Sequence, residues 1–327
     1  MKKLAILLCT MLLLTAVACT APQSSGTVLR LHEVTRSVFY APQYVADALG
    51  FFADEGLTVE ITTSGGSEKA MTALLAGEAD LCLAGPETGV YIMGEGKAEH
   101  PVIVGQLTKR DGSFLIARTP TDAFSWEDLT GKSIIGGRAG GMPIMTLRYV
   151  MAQHGLVDGK NCTIIDSIQF NLMAGAFEGG EGDYVTLFEP TATEFQNAGK
   201  GYIVANIGLE SGEVPYTCYF ATEQNRNSPE VAAFLRAIHR AQVWIQTASD
   251  QEVAEAMQPY FPDTSLESLM IVAKSYRETD SWKTELTMNE ADYDRLLDIM
   301  EYNGVLTTRP AFSELVDNEV AVAAQGE

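Results

Sequence analysis

Asp80-Leu81-Cys82-Leu83-Ala84-Gly85-Pro86-Glu87 is the stretch on which the fold turns. Residues suited to a strand run into Gly-Pro, and a helical pattern then continues through Tyr91. A proline is tolerated in the first turn of a helix because its missing N–H has no intrahelical partner there, and its fixed φ starts the helix abruptly. The octapeptide therefore reads as a strand-to-helix corner. The same grammar recurs at Tyr40-Ala41-Pro42, at Gly141-Met142-Pro143 and at Leu187-Phe188-Glu189-Pro190.

Working outward from these corners, β-rich runs at 28–34, 57–62 and 80–84 alternate with helical patterns at 44–52, 68–75 and through Tyr91. The rhythm restarts after Trp126, with strands at 133–135, 163–166, 184–188 and 202–207 and helices at 145–153, 172–177 and 192–198. Such alternation predicts βα units on largely parallel sheets, hence an α/β protein with two blocks in series, joined near 113–118. From Ser228, an N-cap followed by Pro229, the chain turns helical, at 231–247, 251–257, 266–276 and 290–300. A helical tail without a sheet of its own must pack on an earlier block. The run 214–222 reads as a strand leading back to the first block. The expected organisation is 27–115 with 217–327 as lobe one and 116–216 as lobe two.

In an open parallel sheet the carboxyl ends of the strands form the ligand edge, where helix N-termini present free N–H groups and partial positive charge. With two corners in each block, the lobes should face each other across a cleft. Phe39, Tyr40, Glu87, Arg138, Phe188 and Glu189 stand at these junctions, where large aromatics and charges are unusual unless they meet something. The loop Gly136-Gly137-Arg138-Ala139-Gly140-Gly141 has two readings: backbone that cradles a ligand oxygen beside Arg138, or a plain flexible turn.

The 327 residues are 46% hydrophobic, enough for one large or two medium cores. A formal charge of -21 argues against nucleic acid and anionic lipid as partners. Residues 1–19 carry Lys2 and Lys3, an apolar run and Ala16-Val17-Ala18-Cys19, the pattern of a signal peptide, and 20–26 is a polar stretch suited to a flexible tether. A cysteine after small residues resembles the bacterial lipoprotein box, which makes Cys19 a lipid attachment site, although Ala-x-Ala also fits ordinary cleavage. Without the leader, Cys82, Cys162 and Cys218 remain: an odd number, with no zinc spacing, expected as buried small hydrophobes on strands.

Familiar chemistry is missing from the pattern. Gly131-Lys132-Ser133 ends like a phosphate loop, but the required earlier glycine is Trp126. There is no G-x-S-x-G or H-E-x-x-H, and His32, His100, His154 and His239 are scattered, with His32 expected in the core. Glu87 and Glu189 could in principle serve as an acid/base pair, but the expectation is a binder without catalytic residues, metal or cofactor. A secreted enzyme and a non-transport signalling module are the alternatives from other classes.

Thr35-Arg36-Ser37-Val38-Phe39-Tyr40-Ala41-Pro42-Gln43-Tyr44-Val45-Ala46, followed by Gly50-Phe51-Phe52-Ala53-Asp54-Glu55-Gly56-Leu57, resembles the opening of the nitrate, sulfonate, taurine and thiamine-precursor family of ABC solute-binding proteins. So do Gly77-Glu78-Ala79-Asp80-Leu81-Cys82-Leu83-Ala84-Gly85 and Asp128-Leu129-Thr130-Gly131-Lys132. The resemblance implies a type II periplasmic-binding-protein fold and an extracytoplasmic receptor, a monomer that serves an ABC permease by hinge closure. It places ligand contacts on Phe39, Tyr40, Gly85, Pro86, Glu87, Arg138, Gly140, Gly141, Met142, Phe188 and Glu189. A heteroaromatic such as a thiamine pyrimidine precursor would suit Tyr40, Phe188 and a carboxylate, with Glu189 pairing to a ligand amine. A sulfonate, nitrate or other small anion would instead use Arg138 and the glycine N–H groups. The family's eukaryotic pyrimidine synthase carries a cysteine-rich motif that this chain lacks.

Overall fold

The computed structural model describes residues 26–96, 100–121 and 123–326. The leader, Cys19 and most of the tether lie outside the described residues.

Ten strands form two five-stranded sheets. Strands β1 (Thr27–Glu33), β2 (Leu57–Thr63), β3 (Leu81–Ala84) and β4 (Pro101–Thr108) belong to the first sheet; β5 (Ser113–Ala117), β6 (Ser133–Ile135), β7 (Thr163–Ile165), β8 (Tyr184–Phe188) and β9 (Tyr202–Asn206) form the second; β10 (Thr217–Thr222) returns to the first. The orders are β2-β1-β3-β10-β4 and β7-β6-β8-β5-β9. In each sheet four strands run in one direction, and the strand arriving from the other lobe inserts antiparallel between the third and the fourth. The two lobes therefore share one topology, and each completes its sheet with the strand that follows a crossing.

Strands β4 and β5 are absent from the sequence expectation. All eight residues of β4 and all five of β5 are buried, so the period-two alternation that marks a half-exposed strand never arises. The buried polar groups of β4 are tied into the tail: the Gln106 carbonyl accepts from Gln242 Nε2 at 2.9 Å, and the Gln106 N–H donates to the Leu286 carbonyl at 2.8 Å. The predicted helix over 44–52 is two helices, Ala41–Ala48 and Phe51–Asp54, because Gly50 at φ 75 breaks it.

The tail begins as expected, with Ser228 accepting from the Val231 N–H at the start of helix Pro229–Thr247. That helix packs on lobe one, where Phe234 stacks on Phe52 at 5.2 Å. Its packing does not stop at lobe one. Helix Leu266–Glu278 carries Tyr276, whose hydroxyl donates to the Gly112 carbonyl and accepts from the Glu189 N–H in lobe two. After helix Glu290–Tyr302, Asn303 donates to the Met145 carbonyl of lobe two at 3.1 Å, and the Tyr302 and Tyr149 rings meet at 5.9 Å.

The crossings, residues 109–112 and 207–216, run side by side. A Cβ on Gly208 would collide with the Asp111 carbonyl, so glycine permits this approach. Asp111 is buried; its Oδ1 accepts from the Ser113 N–H (2.7 Å) and hydroxyl (2.5 Å), while its other oxygen sits near the Tyr216 hydroxyl without a well-formed bond. Outside, Lys109 pairs with Asp280 at 2.7 Å and Arg110 with Glu213 at 3.4 Å, linking both crossings to the tail.

Candidate functional site: the gap between the lobes

The four corners converge. Phe39, on the turn Val38–Tyr40 of lobe one, meets Phe188 at the end of β8 in lobe two, with ring centroids 5.8 Å apart. Phe39 also touches Tyr276 (5.0 Å) and Tyr216 (5.8 Å), its carbonyl accepts from Trp282 Nε1 (2.9 Å), and Gly112 lies so close that a Cβ there would strike the ring. The ring is 1% exposed. Phe39 is thus a hub on which both crossings and the tail pack. Tyr40 beside it is also buried, and its phenol is pushed up by burial and by the charges of Glu33 and Glu87.

Beneath this corner Glu33 anchors the turn. Its carboxylate accepts from Arg36 Nε (2.9 Å), the Thr63 hydroxyl (2.8 Å), Gln43 Nε2 (2.9 Å) and the Tyr44 hydroxyl (2.7 Å). Four donors offset the desolvation of a fully buried charge. Sequence reasoning missed Glu33 because it lies on β1, far from any proline.

The second corner of lobe one holds Glu87. Pro86 is the N-cap of helix Glu87–Gly94, so it sits one place before the first turn predicted for it. The Glu87 carboxylate folds back over Gly85, where any Cβ would collide with it. It is 3% exposed and lies near the Met142 N–H of lobe two; Oε2 has no hydrogen-bond partner among the described residues. Burial pushes this carboxyl up to about 7, against the pull of the Glu87 and Met142 N–H groups and with the Glu68 charge adding to the rise.

Lobe two answers with the glycine loop. Gly140 adopts φ 85, a conformation open to glycine, and its carbonyl accepts from the Tyr91 hydroxyl of lobe one at 3.0 Å. Arg138 projects to the rim and bonds to Glu68 of lobe one; both side chains are about half exposed. Burial raises the Glu68 carboxyl, but its own N–H and Arg138 more than offset this and hold it below its ordinary value. Gly141 is the N-cap of helix Met142–Gln153, with Met142 buried and Pro143 in the first turn.

Glu189 lies at the fourth corner and is also buried. Its two oxygens accept from the Thr193 N–H and hydroxyl, each at 2.9 Å, across the first turn of helix Thr191–Asn197, whose N-cap is Pro190. Burial raises this carboxyl, against the pull of the Thr193 groups and of the nearby Ser275 hydroxyl of the tail. Phe170, on the turn Phe170–Leu172, packs on Phe188 at 5.4 Å while remaining half exposed, an aromatic at the rim that sequence reasoning missed.

The structure therefore brings together every candidate named at the corners, but Arg138 and Glu189 meet partners within the protein. His32 is half-buried, with Ser64 at 3.0 Å, rather than in the core. Cys82, Cys162 and Cys218 are free and buried, with Cys162 one residue ahead of its strand. No group of three or more metal-ligating side chains occurs among the described residues, and no helix there is long and apolar enough to cross a membrane.

Two α/β lobes of one topology, joined by two crossings and meeting through the carboxyl ends of their strands, define the type II periplasmic-binding-protein fold. Solved structures share it: the alkanesulfonate-binding protein SsuA from Xanthomonas axonopodis pv. citri bound to MOPS aligns with a TM-score of 0.71 at 14% identity over 90% of this chain and 99% of that one. The periplasmic nitrate-binding protein NrtA from Synechocystis PCC 6803 aligns at 0.70 with 17% identity, over 92% and 89%. Residues 38–251 match the family model described as NMT1/THI5 like. A relative from Bacillus subtilis (strain 168), "Putative binding protein YtlA", is 37% identical over 317 residues, 96% of this chain and 95% of its own. The chain belongs to the NMT1/THI5-like family and is a solute-binding protein of the ABC-import type.

Proposed function

We propose that this chain captures a small organic solute bearing a hydrogen-bond-donating nitrogen between its lobes and delivers it outside the cell to an ABC permease. The observation that supports this reading is Glu87, a buried carboxylate facing the opposite lobe with one oxygen unpartnered. In its ionised form, which prevails above about pH 7, this carboxylate would give a ligand N–H a charge-assisted bond and would repel a sulfonate or nitrate oxygen. The Tyr40, Phe188 and Phe170 rings at the corners and rim of the gap suit a flat heteroaromatic such as an aminopyrimidine. Lobe separation has to precede entry, because Phe39 and Phe188 are in contact across the gap. Cys19, as the lipid attachment site, would tether the processed monomer to the outer face of the membrane.

Native mass spectrometry of the gently purified protein tests the reading, since such receptors often retain their ligand. The expected adduct is a single small compound with a basic or amino-substituted ring, lost in Glu87→Gln. Recovery of a sulfonate or nitrate would replace the proposal with the anion reading, and undiminished retention of an amine by Glu87→Gln would remove Glu87 from the site.

A further inference from the structure

We propose that Glu68 and Tyr91 of lobe one form a latch that holds the glycine loop of lobe two in the closed arrangement, so that Arg138 serves closure rather than contact with solute. The proposal rests on the hinge-closure reading above. Three observations carry it, each joining protein to protein across the gap. Arg138 Nη2 donates to Glu68 Oε1, although the two residues are 70 apart in sequence. The Tyr91 hydroxyl donates to the Gly140 carbonyl at 3.0 Å and lies 3.6 Å from Met145 Sδ. Both lobe-one groups sit on helices, Glu68 in the first turn of Ser67–Leu75 and Tyr91 on Glu87–Gly94, the helix that follows the Pro86 corner.

The loop itself is fixed to its own lobe. Its Ala139 N–H donates to the Asp166 carbonyl at 3.2 Å, and Arg138 pairs with Ser167 in an isolated bridge. Grasping this loop therefore grasps the whole of lobe two. Because Arg138 and Glu68 are both about half exposed, their pair is individually weak and screened by salt, which suits a reversible fastener. The tyrosine bond contributes a second modest increment that salt leaves alone. Together they set how readily the lobes part, and hence how long any solute stays.

Distance measurement by pulsed electron resonance tests this without knowledge of the solute. Nitroxide labels are placed at the exposed Leu75→Cys and Lys160→Cys of the full chain carrying Cys9→Ser and Cys19→Ser; the buried Cys82, Cys162 and Cys218 are shielded from the reagent. The expected result is a short-distance, closed population that shrinks about twofold to fivefold relative to the open one in Glu68→Gln and in Tyr91→Phe, and further in the double variant. Sodium chloride at about 1 M should reproduce Glu68→Gln and add nothing to it, and the charge swap Glu68→Arg with Arg138→Glu should restore closure. A closed population unchanged in both single variants overturns the latch but leaves hinge closure standing. A single distance in every variant, unmoved by small molecules extracted from the source cells, overturns hinge closure and the latch with it.

Discussion

Glu87 and Glu189 occupy corresponding places in the two lobes. Each follows the third parallel strand of its sheet, each stands next to a proline that caps a helix, and each is 3% exposed. They differ by their side of the proline. Glu189 precedes Pro190, so its carboxylate reaches forward over the first turn and binds Thr193 through both oxygens. Glu87 follows Pro86, so its carboxylate turns back over Gly85 and faces the other lobe, with Oε2 unpartnered. The comparison teaches that two carboxylates alike in sequence setting can divide into one that holds its own helix and one that leaves an oxygen without a partner among the described residues.

The largest effect that bears on this division is expected from Glu189→Ala. It strips a cap and leaves the buried Thr193 groups unpaired, which should lower unfolding free energy by about 2–3 kcal/mol. Urea denaturation measures it, and an unchanged midpoint would erase the structural half of the comparison. Glu87→Gln should act oppositely: affinity for the retained compound weakens more than tenfold, a loss of ~1.4 kcal/mol or more, while stability at pH 8 is kept or improved. Calorimetry against the compound recovered by mass spectrometry reads the first and thermal melting the second.

A pH series sharpens the contrast by a smaller amount. The Glu87 carboxyl is raised from 4.5 to about 7 and that of Asp111 from 3.8 to about 6, so the folded chain binds protons more readily than the unfolded one. The stability they contribute is complete below the unfolded values and is lost as pH rises through the folded ones. Melting temperature should therefore fall between pH 5 and 8, on the order of 5 °C. In Glu87→Gln the part of that fall near pH 7 should vanish, leaving the part near pH 6 that belongs to Asp111; a slope that survives intact would show that Glu87 is not buried as described. The smallest expected effect is that of Tyr91→Phe on folding stability, within about 1 kcal/mol, even though it shifts the open and closed populations.

Much of the fold was legible because it rests on local chemistry. The parallel strands of both sheets announced themselves by their βα rhythm, and the helices of the tail by caps such as Ser228 before Pro229. Strands β4 and β5 were silent, since they are buried on both faces and, unlike the equally buried β3, do not run directly into a helix through a proline corner. Of the site, the corner residues could be named but their partners could not. Whether Arg138 faces a solute or Glu68 depends on side chains brought together across the two lobes, and whether Glu189 faces a solute or Thr193 depends on how its side chain turns over the first turn of its own helix.

Backbone preference and hydrophobic period act over a few residues, so the sequence by itself determined the strands that alternate, the four proline corners and the family. Contacts between residues far apart in the chain have no local signature, so only the tertiary structure decided that Phe39 is a hub, that Glu33 anchors the first corner, and that Glu87 faces the other lobe with an oxygen to spare. The physical reason is burial: what a charge costs and which partner it takes are fixed by the surfaces that close over it, and those surfaces come from both lobes.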